Sequence, residues 1–294
     1  MSCPRRRADT PLSRSIKDRL RNKAEEQRRP FNDLLQQYII ERFLYRLSVS
    51  GYQDHFVLKG ALMLVARGGA SLRPTRDVDL LGYVSNQPKH VRRIIQEICD
   101  LPGENEDAVW LDPGSVTVSP ITTQSRYSGM RVRLITYLGK ACVPLQIDIG
   151  FGDVLTDQPR RLSFPLVLAG LPAARIVGYP VEAIIAEKVE TMIRLGSANS
   201  RMKDFFDVWM LIGREVDCTP ALARALEATL HHRGTPVPNS VPIAWTAAFA
   251  VQKERDWKAF LRRSRLQAPS LQAVVQRLQE ALWPCIQKTH RPEQ

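Results

Sequence analysis

Ten residues, Arg73–Gly82 (RPTRDVDLLG), constrain this chain more than any other stretch. Read as an extended segment, they place successive side chains on opposite faces, so Asp77 and Asp79 share one face while Val78 and Leu80 share the other. Two carboxylates then stand side by side on a wet face, above an aliphatic face that must be covered. Like charges this close repel unless a cation lies between them, and hard oxygen ligands suit Mg²⁺. The pattern predicts a strand that holds divalent metal. The competing reading is a solvated Asp-x-Asp with no role, because a motif this short has low specificity.

The surroundings sharpen the choice. Upstream lies His55–Arg67 (HFVLKGALMLVAR), which reads as a short apolar strand through Phe56, Val57 and Leu58, a Lys59-Gly60 turn, and an apolar helical turn. Glycine at such a junction lets the backbone come close to a ligand, and the amides that open a helix favour phosphate.

Downstream, Cys142–Phe151 (CVPLQIDIGF) alternates strictly, with Val143, Leu145, Ile147 and Ile149 on one face and Gln146, Asp148 and Gly150 on the other. Asp148 is flanked by core residues and needs a partner or a metal. A structural ion pair and a site carboxylate are both open. Pro180 opens a helix reaching about Leu195, in which Lys188 lies on the apolar stripe of Ile184, Ile185, Val189 and Met192. That lysine either snorkels its charge to the rim or points into an anionic site. In Asn199–Ile212 (NSRMKDFFDVWMLI) Asp207 is embedded in apolar residues, with Asp204 one turn earlier, so a pair with Lys188 is expected.

Strand, Lys-Gly turn, short helix, a loop with Arg73 and Thr75, and Asp77-Val78-Asp79 on the next strand together resemble the active-site hairpin of polymerase-beta-type nucleotidyltransferases. The later Ala-Glu-Lys and Lys-Asp-Phe-Phe-Asp segments extend the likeness to the AbiEii/AbiGii-like toxins, the MenT group among them. The motifs span residues 55 to about 212. One position departs from the family pattern: Ala61 stands where a second small turn residue, Gly or Ser, is common.

The resemblance implies an α+β fold, a nucleotidyltransferase-type mixed β-sheet core with flanking helices and a helical C-terminal region. It implies Mg²⁺, in a two-ion site, on Asp77, Asp79 and Asp148, and an NTP substrate contacted by Lys59, Gly60, Thr75, Arg76, Lys188 and Asp204. Asp77, Asp79, Asp148, Lys188 and Asp207 form the implied catalytic set. The implied acceptor is RNA, such as a tRNA end, and the implied partner is a cognate antitoxin. Residues 1–50 are expected as N-terminal helices, 51–178 as the nucleotidyltransferase core, and 179–294 as a helical domain that completes the active site.

Charge adds to this. The formal net charge is +12, with +6 in residues 1–30 and +5 in residues 251–294. Basic ends on a near-neutral middle suit a polyanion, since phosphate contacts supply most non-specific affinity. Solvated helix faces, or an acidic protein partner, would give the same pattern. No apolar run approaches the roughly 20 residues of a membrane span, and no apolar core follows Arg5, Arg6 and Arg7 to make a secretory signal. The five cysteines (Cys3, Cys99, Cys142, Cys218, Cys285) show neither a disulfide framework nor zinc-ligand spacing, which fits a reducing cytoplasm. His231-His232 reads as a helix end and not as a ligand pair. Two functional alternatives remain beside RNA modification: transfer to a protein hydroxyl, and a nucleic-acid-binding regulatory module with a decayed site.

Overall fold

A computed structural model describes residues 8–67, 75–121, 129–212 and 218–288. Arg73 and the arginines Arg5, Arg6 and Arg7 lie outside these residues. The chain divides into two compact units, the first built mainly from residues up to 178 and the second from 179 onward together with 153–159.

The first unit opens with α1 (Pro11–Glu26), whose N-terminus is closed by a reciprocal Thr10/Ser13 capping box with Pro11 in the first turn. Pro30 then precedes α2 (Phe31–Val49). The remaining elements are β1 (Phe56–Lys59), α3 (Ala61–Ala66), β2 (Asp77–Gly82), α4 (Pro88–Cys99), α5 (Glu104–Asp107), β3 (Val109–Leu111), β4 (Thr117–Ile121), β5 (Gly129–Leu138), β6 (Ala141–Phe151), β7 (Arg160–Ser163) and β8 (Arg175–Gly178). They form one mixed sheet in the order β3-β5-β6-β2-β1-β8-β7, with β4 also on β5. The α+β class expected from the sequence is the fold observed. β2 pairs antiparallel with β1 and parallel with β6, which puts the Asp-x-Asp strand in the interior of the sheet. β7 stops at Ser163, because Phe164 is followed by Pro165, which has no N–H to extend a ladder.

α2 is more than an amphipathic scaffold. It is buried nearly all round, and Glu41, Arg42 and Arg46 are 0–1% exposed. Each charge has a defined use. Arg46 grips Asp107 with two bonds of 2.9 and 3.1 Å and donates to the Val109 carbonyl at 2.8 Å. Arg42 pairs with Glu41 at 2.5 Å and donates to the Pro172 carbonyl, while Glu41 accepts from the Val167 N–H. Burial pushes the Glu41 carboxyl up, against the pull of Arg42 and that N–H. Two loops are thereby clamped to α2 by ionic groups, and removing one member of such a pair costs about 3–5 kcal/mol.

The second unit is helical: α6 (Val181–Leu195), α7 (Met202–Ile212), α8 (Pro220–His232), α9 (Ala247–Ser264) and α10 (Leu271–Lys288). Aromatic side chains fill its core. Phe205 stacks on Phe249 at 5.4 Å, and Phe206 packs with Trp257 and Phe260. α8 ends at His231-His232, as expected. Contrary to the cysteine reading, Cys218 and Cys285 form a disulfide across 67 residues. Spacing rules see local pairs only, whereas this one is made by the packing of α8 against α10. Among the described residues no helix is long and apolar enough to cross a membrane.

Candidate active site

The polar face of the first unit's sheet is set by register. Lys59 on β1 lies opposite Asp79 on β2, Asp79 lies opposite Asp148 on β6, and Asp148 lies opposite Arg131 on β5. One row across four strands therefore reads cation, carboxylate, carboxylate, cation. The next row holds Asp77, Gln146 and Arg133. The alternation read from the sequence is present: Val78 and Leu80 are 0 and 1% exposed, while Asp77 is open to solvent and Asp79 half-buried.

Asp148 has a partner. Both of its oxygens accept from Arg131, at 2.8 and 2.7 Å. That bond holds the Arg131 guanidinium above its ordinary pKa, assisted by the charges of Asp148, Asp77 and Asp79. The three carboxylates thus lie in the field of one arginine, which was not among the site residues expected from the sequence. A carboxylate has about four lone-pair positions, so a bidentate arginine leaves Asp148 further acceptor capacity.

Among the described residues no group of three or more His, Cys, Asp and Glu is arranged to hold a metal. The donor set suits Mg²⁺ nonetheless. That ion keeps water and substrate phosphates in its shell and takes only one or two carboxylates from the protein, which Asp77 and Asp79 can supply.

Gly60 explains the turn. Its backbone lies at φ +68°, ψ −152°, a region essentially reserved for glycine, and a Cβ there would sit 2.1 Å from Asp79 Oδ2. The close approach expected of a ligand is made first by the Asp79 carboxylate. Gly60→Ala therefore displaces Asp79 and strains the backbone. The expected result is a loss of transfer of about 10²-fold, the penalty for misplacing a reacting group by about 1 Å, with destabilisation of about 1–3 kcal/mol. Wild-type turnover in this variant, measured beside its melting temperature, would show that Gly60 does not position Asp79.

Other expected nucleotide contacts are placed as follows. Thr75 donates through Oγ1 to the Asp77 carbonyl at 3.4 Å. The Arg76 side chain is 76% exposed and 4.0 Å from Asp33. Arg76 also borders a cavity of about 550 Å³.

In the second unit, Lys188 does not snorkel. Its Nζ donates to Asp204 Oδ1 and Asp207 Oδ2, both at 2.8 Å, and both acids have side chains 1% exposed. Burial alone would lower the Lys188 pKa, but the two carboxylates override it and hold the ammonium above its usual range. Burial likewise works against ionised Asp204, yet Lys188 and then Arg201 keep it below the usual carboxylate range. Arg201, which the sequence reading left out, contacts Asp204 at 2.5 Å; its position three residues before Asp204 was the available signal. A second network, also unanticipated, surrounds the fully buried Glu190, which accepts from Arg194, Arg233 and Thr235.

Two crystal structures from Helicobacter pylori resemble this fold. One, JHP933, is 15% identical with a TM-score of 0.49, covering 88% of this chain and 94% of its own. The other, whose name proposes a nucleotidyltransferase, is 16% identical with a TM-score of 0.48, covering 90% and 98%. Likeness at this level carries no assignment of residues or activity. No curated protein matches the chain. The family described as "Nucleotidyl transferase AbiEii toxin, Type IV TA system" matches residues 42–282, a span that contains the Lys59-Gly60 turn, the Asp77/Asp79 face and the Lys188–Asp204–Asp207 cluster. This chain therefore belongs to the AbiEii nucleotidyltransferase toxin family.

Proposed function

We propose that this nucleotidyltransferase is Mg²⁺-dependent and transfers nucleotides from an NTP to an RNA acceptor, the 3′ end of a tRNA, blocking translation and growth in the bacterial cytoplasm until a cognate antitoxin intervenes. The observation that carries the reading is the pair Asp77 and Asp79 on one face of β2, with the Asp79 carboxylate seated against the Gly60 turn.

In the transfer, an acceptor hydroxyl oxygen bonds to the α-phosphorus of the NTP while the bond from that phosphorus to the β-phosphate oxygen breaks, so pyrophosphate leaves. Bound Mg²⁺ supplies charge neutralisation to the phosphates and lowers the pKa of the attacking hydroxyl. Asp77 and Asp79 present the carboxylate oxygens that hold the ion. Asp148, with its remaining lone pairs, orients the hydroxyl or takes its proton, and the two bonds from Arg131 keep it aimed. Lys59, Gly60, Thr75 and Arg76 contact the triphosphate. Lys188 neutralises phosphate charge, and Asp204 and Asp207 keep its ammonium protonated and fixed.

The test is to incubate purified protein with Mg²⁺, each labelled NTP in turn, and total RNA or total cell protein. Label in the tRNA fraction is expected. Label confined to protein, or none in either pool, overturns the RNA reading.

A further inference from the structure

β6 outruns its neighbour. β2 pairs with β6 only from Gln146 onward, so residues 142–145 of β6 have no β2 partner. The space left there is the cavity of about 550 Å³. Its floor is the polar face at Asp77, Gln146 and Arg133, and its wall is the first turns of α2 at Asn32, Leu35 and Gln36. Gln36 closes one end, reaching toward the carbonyls of Arg76 and Pro144 at 3.4 and 3.5 Å.

We propose that this cavity receives the terminal nucleotide of a single-stranded RNA acceptor, an assignment that rests on the nucleotidyltransferase reading and specifies the acceptor side of that site. Placement is the first argument. Asp79 abuts the Gly60 turn, assigned to the triphosphate, whereas Asp77 lines the cavity. The two features bracket the carboxylate pair. An in-line displacement needs the attacking and leaving oxygens on opposite sides of the phosphorus, so a site bounded on one side by the triphosphate turn holds its acceptor on the other.

Chemistry is the second argument. Amide side chains present a donor and an acceptor side by side and match the edge of a nucleobase: Asn32 offers both, Gln146 keeps one N–H and its oxygen beside its bond to Asp148, and Gln36, with its nitrogen turned to the Arg76 and Pro144 carbonyls, offers its oxygen. Leu35 gives an apolar surface for a base face, and Arg133 gives a cation for the backbone phosphate. The Arg133 guanidinium and the Asn32 amide have no partner among the described residues. A volume near 550 Å³ holds one nucleotide, and a polypeptide acceptor would need a groove for its extended backbone instead.

The experiment measures binding apart from turnover. Four 5′-fluorescein RNA octamers that differ only in their last nucleotide are titrated by anisotropy into wild type, Arg133→Ala and Asn32→Ala, and Mg²⁺–NTP affinity is measured calorimetrically on the same proteins. Arg133→Ala is expected to raise the octamer Kd about tenfold and to reduce its salt slope by about one. Asn32→Ala is expected to remove discrimination among the four octamers. NTP affinity should stay at the wild-type value in both variants. The inference is overturned if both variants bind all octamers as wild type does, if the loss falls on NTP affinity instead, or if wild type binds no octamer and labels protein. Failure of the nucleotidyltransferase reading is distinct: wild type would then transfer label to nothing, whatever the octamer titrations show.

Discussion

Asp79→Ala and Asp77→Ala each abolish nucleotide transfer, by about 10³-fold or more, while melting within a few degrees of wild type. The expected loss is large because each removes a carboxylate from the pair that would hold Mg²⁺, and charge stabilisation of a phosphoryl transition state is seldom replaceable by water. The fold survives because both side chains face away from the core; Val78 and Leu80, not the aspartates, anchor the strand. Asp79 carries the greater stability risk, since it lies in register between Lys59 and Asp148, so its melting curve is the control that separates lost chemistry from lost structure. In cells, expression of wild type without antitoxin should arrest growth and the variants should not. Near-wild-type transfer by either variant with Mg²⁺ present would remove the two-carboxylate site.

The second large effect is at Lys188. Lys188→Ala leaves Asp204 and Asp207 buried without their shared cation, so stability should fall by about 3–5 kcal/mol and transfer should collapse. Arg201 still serves Asp204 after that change. Lys188→Arg keeps the charge but not the compact ammonium that reaches two carboxylates at 2.8 Å, so only partial rescue is expected. In a double-mutant cycle, Lys188→Ala and Asp207→Ala should be far from additive, because the first already breaks the unit. Lys188→Met is the decisive variant: if it keeps NTP affinity and turnover, the cluster is only structural. The pH dependence has a fixed sign. Asp204, depressed in the folded state, contributes stability above the ordinary carboxylate pKa and loses it as pH falls further. Lys188, raised, contributes below the ordinary lysine pKa and loses it as pH climbs beyond. Between roughly pH 5 and 9 Lys188 and Asp204 both stay charged, so a pH profile in that range reports other groups.

Much of this was legible from the chain because it depends on period and local chemistry. Alternation alone placed Asp77 and Asp79 opposite Val78 and Leu80, and the stripe of α6 singled out Lys188 as misplaced. The helix start at Pro180 followed from a residue that cannot continue a preceding helix but suits the start of the next. Tertiary structure decided the rest. Register is a property of two strands, so neither strand's sequence shows that Asp79 faces Asp148, or that Arg131 takes both of the latter's oxygens. The burial of Glu41, Arg42 and Arg46 ran against the polarity of those residues, and only distant partners such as Asp107 and the Pro172 carbonyl make it tolerable. The Cys218–Cys285 bond and the cavity beyond the end of β2 likewise arise from elements far apart in the chain. Side-chain period is written locally and can be read locally; pairing, enclosure and the compensation of buried charge exist only once distant segments meet.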